Sequence, residues 1–419
     1  MAGLLGGAGF DFVSDPAAAD IVILNTCGFI RPSRDEADEA ILSALAAKRD
    51  GARPRVIVAG CYVERNRREL AVRYPRVDAW IGVKDFDKIA AVARGERFRP
   101  GRRTFLYDGE TPRAVSTPAS WAYLKISEGC SHECAFCSIP SIKGAYRSRP
   151  ARSIVEEAGR LVRAGVREID LISQDTTFYG RDRSSRSRLP RLLGDLSRIA
   201  DLAWIRLLYG YPEEVDDALI EALCGEKICP YLDIPFQHAD AGILRGMRRS
   251  MDARRAFRLL EKLRARVPGI AVRTSLIVGF PWEGRAQFAA LKSFVREAEF
   301  DHLGVFTYSP EEGTGAYDLG DPVPERTKSG RRAEIMSLQA EISARKLRKR
   351  VGETIDVLLE GVSRKDPGIR IGRAEFQAPE VDGIVFVSGD GPETLESRPL
   401  RRVEITDSGS YDLRGKIIA

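Results

Sequence analysis

Short apolar runs alternate with longer segments of helical spacing in the first part of the chain. Residues 21–25 (IVILN) and 55–59 (RVIVA) are rich in β-branched side chains, as strands usually are. Residues 33–48 between them have helical spacing, with acidic residues placed in the first turn. A strand, a helix and a second strand in this order predict a βαβ unit with a parallel sheet. We expect an N-terminal α/β domain over residues 1–95.

A longer and more regular alternation begins near residue 120, after a basic linker rich in Pro and Gly at 95–118. Helical segments separate the predicted strands, and the clearest of these, over 153–164, begins with a capping box of Ser153 and Glu156. A long charged helix follows over 325–351. The pattern predicts a central partial (β/α)6 barrel over residues 116–350. Its six predicted strands are 122–126, 168–172, 204–208, 231–234, 272–278 and 302–307.

The last part of the chain changes to short strands separated by Gly, Pro, Asp and Ser. The predicted strands are 354–359, 369–376, 383–387 and 402–405. This pattern predicts a small all-β barrel over residues 351–419. The chain is therefore expected to be an α/β protein of three domains.

Three cysteines follow the first predicted barrel strand with the spacing C-x3-C-x2-C: Cys130, Cys134 and Cys137. Four thiolates usually hold a [4Fe–4S] cluster, so three leave one iron open to chelate a substrate. A zinc knuckle with His132 as an additional ligand is the alternative, but His132 lies between two of the cysteines and no second CxxC pair follows. The triad predicts a redox-active cluster that binds S-adenosylmethionine (SAM).

This loop resembles that of radical SAM enzymes, whose other characteristic elements then have counterparts here. Phe136 stands where the superfamily places an aromatic near the adenine. Ser173 and Gln174 follow the second barrel strand, where a polar turn would bind the SAM amino group. Arg206 lies in the third strand, and Gly279 ends the fifth strand, where close backbone approach to the nucleoside favours glycine. The resemblance implies that these five residues contact SAM.

A second pair of cysteines lies in the N-terminal domain. Cys27 and Cys61 each follow a predicted parallel strand, so both belong at the edge where open α/β sheets place their ligands. Gly28 and Gly60 beside them would leave room for a bulky group. Two buried structural cysteines are the alternative interpretation. The remaining pair, Cys224 and Cys229, is expected to be structural.

These segments together resemble the methylthiotransferase family, which carries two [4Fe–4S] clusters. The resemblance rests on Asn25-Thr26-Cys27-Gly28, on Gly60-Cys61, on the loop from Ser127 through Pro140 to Ser148-Arg149-Pro150, and on a C-terminal barrel similar to a TRAM domain. It implies that Cys27 and Cys61 help to hold an auxiliary cluster. It also implies that a carbon radical, formed through SAM cleavage, accepts a methylthio group.

Three further segments resemble the RimO-type class, which modifies an aspartate of ribosomal protein uS12. They are residues 171–175 (LISQD), 231–238 (YLDIPFQH) and 378–383 (APEVDG). The implied partners are uS12 or the small ribosomal subunit, and a reducing electron donor such as flavodoxin or ferredoxin. A methylthiotransferase acting on adenosine derivatives of tRNA and a catalytically impaired scaffold that binds SAM and a cluster are the alternatives.

Two positions depart from the family pattern. No cysteine precedes Cys27, although the family has a first cluster cysteine in an earlier strand. From this we expect either an N-terminal truncation or an impaired auxiliary cluster. Trp282 stands where the family usually has Gly, whereas Glu283 is retained.

Charge and composition narrow the function further. Residues 351–419 hold 9 Lys/Arg against 13 Asp/Glu, a net charge of −4, whereas the rest of the chain has a net charge of +10. An acidic module repels phosphates and favours a basic protein partner. Only three histidines are present, which argues against a hydrolytic zinc site. Seven cysteines, no long apolar stretch and no basic leader predict a cytoplasmic protein without a membrane span.

Overall fold

The computed structural model describes residues 1–48, 54–102, 104–389 and 399–418. These residues form two compact units. The first comprises Met1–Val115, Ser127–Arg149 and Ser309–Asp318, and the second comprises Ser116–Ile126, Pro150–Tyr308 and Leu319–Ala419. The three domains expected from the sequence remain a prediction, and this division differs from them because residues 127–149 and 309–318 join the N-terminal residues.

The first unit is built around a parallel three-stranded sheet. Its strands are β1 (Ile21–Thr26), β2 (Arg55–Gly60) and β3 (Ala79–Gly82), in that order. Helices and a two-stranded pair complete the unit: α1 (Ala2–Gly7), α2 (Arg31–Ala47), α3 (Cys61–Arg73), α4 (Ile89–Ala93), and, further along the chain, β5 (Ser127–Glu128), α5 (Ile139–Lys143) and β6 (Arg147–Ser148). The predicted βαβ unit is confirmed. The sequence did not indicate α3 and β3.

Alternation along β2 accounts for the layering of this unit. Val56 and Val58 lie in a core cluster with residues of α2 and α3, whereas Ile57 and Ala59 lie in another with residues of α1 and α4. The prediction of acidic residues in the first turn of α2 is wrong. The helix begins at Arg31, two residues earlier than expected, so Asp35 falls beyond its first turn.

The second unit contains the predicted barrel sheet. Its six parallel strands follow the order β4, β7, β8, β9, β10, β11. These are β4 (Trp121–Lys125), β7 (Glu168–Ile172), β8 (Trp204–Leu207), β9 (Ile228–Asp233), β10 (Ala271–Val278) and β11 (His302–Thr307). The helices are α6 (Ala151–Arg163), α7 (Leu189–Ser197), α8 (Asp217–Ala222), α9 (Ala241–Gly246), α10 (Ala253–Arg266), α11 (Arg285–Ala298) and α12 (Glu325–Arg348). Each predicted strand is present within three residues at its ends.

The predicted capping box of α6 is wrong. The helix begins at Ala151 after Pro150 and has no side-chain cap, so Ser153 lies inside it. Aspartates cap three other helices of the unit, where Asp216, Asp240 and Asp252 accept hydrogen bonds from first-turn N–H groups.

The C-terminal residues form a closed five-stranded barrel in the order β12, β13, β14, β16, β15. Its strands are β12 (Thr354–Val362), β13 (Arg370–Ala374), β14 (Val385–Ser388), β15 (Leu400–Ser408) and β16 (Leu413–Ile417). The sequence indicated the first four strands and missed β16. Closure of the barrel pairs the backbone N–H and C=O groups that an open sheet leaves unpaired at its edges, which helps so small an all-β module to be stable.

The two faces of the large sheet pack against different partners. Ile169 and Ile205 belong to a core with the surrounding helices. Trp121, Trp204 and Tyr231 alternate with such residues and belong to a second core shared with the small barrel. The small barrel therefore closes the inner face of the sheet near the amino ends of its strands.

Candidate active site

The cysteine triad lies in a loop of the first unit that begins at β5 and returns at β6. Cys130 is buried, whereas Cys134 and Cys137 are half-buried, and none of the three forms a disulfide with another described cysteine. The Cys130 N–H donates to the Gly144 carbonyl at 3.1 Å, and the Cys137 N–H donates to the Cys134 carbonyl at 3.1 Å. The backbone therefore holds this loop in a defined shape.

Gly129 determines the entry to the triad loop. Its φ is +84°, and a Cβ at this position would lie 2.4 Å from the Ala145 carbonyl oxygen. A side chain would both clash and adopt a conformation that L-residues avoid. Glycine before Cys130 is therefore required by this geometry.

The donor set of the loop is three cysteine thiols, of which Cys134 and Cys137 are partly accessible. The thiolates of a [4Fe–4S] cluster each bind a different iron, so three of them fit a cluster with one iron left open to a substrate. No group of three or more His, Cys, Asp or Glu side chains that could hold one metal ion is found in the described ranges. Half-buried Phe136 precedes Cys137 directly.

Cys27 and Cys61 follow neighbouring strand ends. Thr26 pairs with Gly60, so the two cysteines begin their turns at the same edge of the sheet. Cys27 is exposed and Cys61 is half-buried at the start of α3, so neither matches the alternative of a buried structural cysteine. This placement agrees with the expectation from parallel-strand geometry.

The adjacent glycines do not leave room for a bulky group, which corrects the expectation from the sequence. A Cβ on Gly28 would lie 2.6 Å from the Tyr62 Cα, and one on Gly60 would lie 2.3 Å from the Thr26 carbonyl oxygen. Gly60 also has a φ of +118°. The space is filled by the opposing backbone, so these glycines let the two cysteine turns approach each other closely.

Arg65 and Glu311 tie these turns to a distant segment of the chain. The Arg65 guanidinium donates to the Gly28 carbonyl at 3.0 Å and to the Glu311 carboxylate at 2.8 Å. Glu311 is almost fully buried and also accepts from Arg34 and from the Arg31 N–H. Arg65 stands one helical turn after Cys61, so a single side chain joins α3, the Cys27 turn and the segment Ser309–Asp318.

The same segment contacts the triad loop. The Ala316 N–H donates to the Ala135 carbonyl at 2.7 Å, within the triad spacing. The Ser138 hydroxyl, next to Cys137, lies 3.4 Å from the Phe29 carbonyl near Cys27. Both cysteine sets therefore belong to one compact unit and share the segment Ser309–Asp318. The sequence pattern did not indicate this segment, because it carries no cysteine and follows the last barrel strand.

The other predicted SAM contacts lie in the second unit. Ser173 is buried and accepts a hydrogen bond from the Asp175 N–H at 2.9 Å, and Gln174 is half-buried. Gly279 ends β10 with a φ of +77°, and its N–H donates to Glu283 at 2.7 Å. Their contact with SAM stays a prediction.

Arg206 is fully buried on the inner face of the sheet. Its guanidinium donates to Glu168 at 2.8 Å and to the Glu375 carbonyl in the small barrel. Burial opposes its charge, but the neighbouring acids outweigh this effect and raise its pKa. Its hydrogen bonds in the structure therefore go to Glu168 of β7 and to the small barrel, and its role in SAM binding stays a prediction.

Trp282 occupies a backbone conformation that explains the glycine usual at this position. Its φ is +75° and its side chain is 59% exposed. Glu283 next to it is buried and holds the loop, since its carboxylate accepts from Gly279 and from Arg331 at 2.8 Å. The loop therefore keeps its shape through Glu283 in spite of the tryptophan.

Comparisons with known proteins agree with this geometry. Family models match residues 1–82 (uncharacterized protein family UPF0004), 124–295 (radical SAM superfamily) and 351–418 (TRAM domain). The solved structure of the radical SAM methyltransferase TsrM from Kitasatospora setae has the same fold over 71% of this chain and 66% of its own, with a TM-score of 0.54 at 16% identity. The fold and the cysteine loop define a radical SAM enzyme, with SAM and an iron–sulfur cluster as cofactors.

Curated relatives identify the family within this class. A ribosomal protein uS12 methylthiotransferase RimO from Anaeromyxobacter sp. (strain Fw109-5) is 44% identical over 100% of this chain and 89% of its own length. The protein of the same name from Aquifex aeolicus is 42% identical over 99% of this chain and 93% of its own. The chain belongs to the ribosomal protein uS12 methylthiotransferase RimO family. No helix in the described part of the chain is long and apolar enough to cross a membrane.

Proposed function

We propose that this enzyme transfers a methylthio group to the β-carbon of an aspartate in ribosomal protein uS12, in the cytoplasm. The observation that carries the proposal is the identity of 42–44% with uS12 methylthiotransferases along essentially the whole chain. The acidic C-terminal module supports a basic protein substrate over a phosphate-bearing one.

Cys130, Cys134 and Cys137 would hold the [4Fe–4S] cluster that binds SAM, and Cys27 and Cys61 would hold an auxiliary [4Fe–4S] cluster. When bound, the first cluster would supply the electron that cleaves one SAM to methionine and a 5′-deoxyadenosyl radical, and the auxiliary cluster would supply a sulfur atom that takes its methyl group from a second SAM. Phe136, Ser173, Gln174, Arg206 and Gly279 would orient SAM. A flavodoxin or ferredoxin would deliver the electrons. Hydrogen abstraction by a radical requires no side-chain base, so the protein contributes binding, orientation and the exclusion of water.

The triad assignment is tested with Cys134→Ala. We expect the variant to form no 5′-deoxyadenosine from SAM under reducing conditions, because the cluster loses one of its three ligands. Cys224→Ala is the matched control, since Cys224 is an exposed cysteine in the other unit. Continued SAM cleavage by Cys134→Ala would contradict the assignment.

The auxiliary site is tested by iron and sulfide analysis after anaerobic reconstitution. About eight irons per chain are expected if both sites fill, and about four if only the triad does.

The product is tested by mass spectrometry of uS12 incubated with reconstituted enzyme, SAM and reductant. Modification of tRNA with uS12 unchanged would contradict the proposed substrate.

A further inference from the structure

Residues 378–383 connect β13 to β14 of the small barrel and pack on the inner face of the large sheet. Asp382 anchors them, because its buried carboxylate accepts from the Tyr231 hydroxyl at 2.7 Å and from Arg273 at 2.8 Å. The Ala378 N–H donates to the same carboxylate at 2.8 Å. Residues 378–383, whose sequence resembles that of the uS12-modifying class, thus cover part of the inner face of the large sheet.

Glu380 at the tip of this segment differs from Asp382. It is exposed, and its carboxylate accepts a hydrogen bond from the Tyr123 hydroxyl at 2.8 Å. Its φ is +65°, a conformation that costs about 1–3 kcal/mol for a residue other than glycine. Glycine would avoid this cost, whereas glutamate adds the hydrogen bond with Tyr123 and a negative charge.

Tyr123 and Tyr209 place aromatic rings on the same side of the sheet as Glu380. Tyr123 alternates with outward-facing Ala122 and Leu124 on β4, and therefore faces inward. Tyr209 follows β8 and is 49% exposed. Burial raises the pKa of Tyr209, the charges of Asp233 and Glu380 raise it further, and the charge of Arg273, which is paired with Asp382, lowers it.

Strained backbone marks this edge of the barrel. Tyr209, Gln237 and Trp282 all have positive φ, at 60°, 70° and 75°, and they follow three consecutive strands, β8, β9 and β10. Active sites of βα barrels lie at the carboxyl ends of the strands, and strain in proteins concentrates at such sites. Tyr209, which also belongs to the surroundings of Glu380, therefore lies at the edge of the sheet where βα barrels bind their substrates.

The charge of this region favours a cation. Asp382 is paired with Arg273, whereas Glu380 makes no ion pair within the described ranges. A carboxylate with exposed aromatic surface nearby is a favourable environment for an ammonium or guanidinium group. Proteins that bind RNA carry such groups in excess.

We infer that Glu380, together with Tyr123 and Tyr209, binds a lysine or arginine side chain of uS12 close to the modified aspartate. This inference rests on the proposed function. It adds a residue by which the enzyme distinguishes uS12 from a nucleic-acid substrate. Glu380 determines specificity, because it attracts a basic polypeptide and repels nucleic-acid phosphates.

The test is the steady-state kinetics of uS12 modification by reconstituted Glu380→Gln enzyme. Glutamine keeps the size of the side chain and can still accept the Tyr123 hydrogen bond, so only the charge is lost. We expect KM for uS12 to rise about tenfold with kcat within about twofold. 5′-Deoxyadenosine formation without uS12 should equal that of the wild type. Glu404→Gln, at an exposed position of β15, is the matched control and should leave KM unchanged.

Exchanging the two charges gives a second test of the inference. Glu380→Lys enzyme should modify wild-type uS12 poorly. A uS12 variant in which the lysine or arginine nearest to the modified aspartate is replaced by glutamate should restore part of the activity of this enzyme. An unchanged KM in Glu380→Gln would overturn the inference, as would loss of SAM cleavage without uS12, which would indicate a structural role. Wild-type enzyme that cleaves SAM but leaves uS12 unmodified would instead overturn the proposed function itself.

Discussion

Asp233 illustrates how position in the barrel sets the chemistry of one carboxyl group. It ends β9 with a side chain that is 8% exposed, and its carboxylate accepts a hydrogen bond from the Tyr209 N–H at 3.2 Å. Burial raises the pKa of Asp233 to about 6, because Arg273 at 3.8 Å and the Tyr209 N–H only partly compensate for lost hydration. Neither the burial nor the partners follow from the sequence around residue 233.

The raised pKa of Asp233 predicts a pH-dependent stability. The folded protein holds this proton more tightly than the unfolded chain, so the destabilising contribution is absent below about pH 4 and complete above about pH 6. The free energy of unfolding of Asp233→Asn, relative to that of the wild type, should therefore be about 2–3 kcal/mol higher at about pH 7 than at about pH 4. Thermal unfolding of both proteins at these two pH values measures the difference. Asp201→Asn, at an exposed position, is the control, and a pH-independent difference would contradict the raised pKa.

At the scale of elements, local patterns predicted the strands well and the helix starts poorly. β7 and β11 have the predicted bounds. β7 (EIDLI) alternates acidic with apolar residues and β11 (HLGVFT) is mainly apolar, and short runs of this kind between helical segments are a local signal of a strand. The start of α6 is two residues early because Pro150 precedes its first residue, a signal that outweighed the apparent capping box at Ser153. The helix α3 carries few apolar residues in regular spacing, and therefore gave no periodic signal.

Arg65 on α3 predicts a coupling between this helix and the auxiliary site. In Arg65→Gln the contacts to the Gly28 carbonyl and to Glu311 are lost or weakened, so the Cys27 turn is no longer held against α3. Where the wild-type enzyme reconstitutes about eight irons per chain, we expect Arg65→Gln to hold about four, with SAM cleavage retained. Arg68→Gln, at an exposed position of the same helix, is the control. Full iron content in Arg65→Gln would rule out this positioning role.

At the scale of the molecule, buried charges join the large sheet to the small barrel. Glu168 at the start of β7 accepts from Arg206 at 2.8 Å and from Arg373 of β13 at 2.6 Å. Burial alone would raise its pKa, but the two guanidiniums outweigh this effect and lower it. Asp170, also fully buried, has its pKa raised well above the ordinary value by burial and by the charge of Glu168. The pKa values of the two carboxyl groups that face the arginines are therefore shifted in opposite directions, and we expect Glu168 to be ionised and Asp170 to be neutral at pH 7.

This arrangement predicts non-additive effects of substitution. Asp170→Asn should change stability by less than about 1 kcal/mol, because the group is already neutral. Glu168→Gln should destabilise, although Asp170, 3.3 Å from Arg206, can then ionise in its place. The double variant leaves both arginines without a buried partner charge from β7, and its loss should exceed the sum of the single losses by about 1–3 kcal/mol.

Denaturant unfolding of the four proteins at neutral pH measures this coupling. Asp356→Asn is the control, since the ion pair of Asp356 with Arg402 is largely exposed and contributes less than about 1 kcal/mol. Additive losses would mean that Asp170 is ionised in the wild type.

The sequence by itself determined the order of most strands, the cysteine triad and the family, because these depend on spacing along the chain. The run from Ser127 to Pro140 carries the radical SAM loop in its residue order alone. Tertiary structure alone decided which distant residues support the sites. Glu311 is 246 residues from Arg65, and Glu380 is 257 residues from Tyr123. No local pattern encodes such pairs, since only the packing of the folded chain places their side chains together.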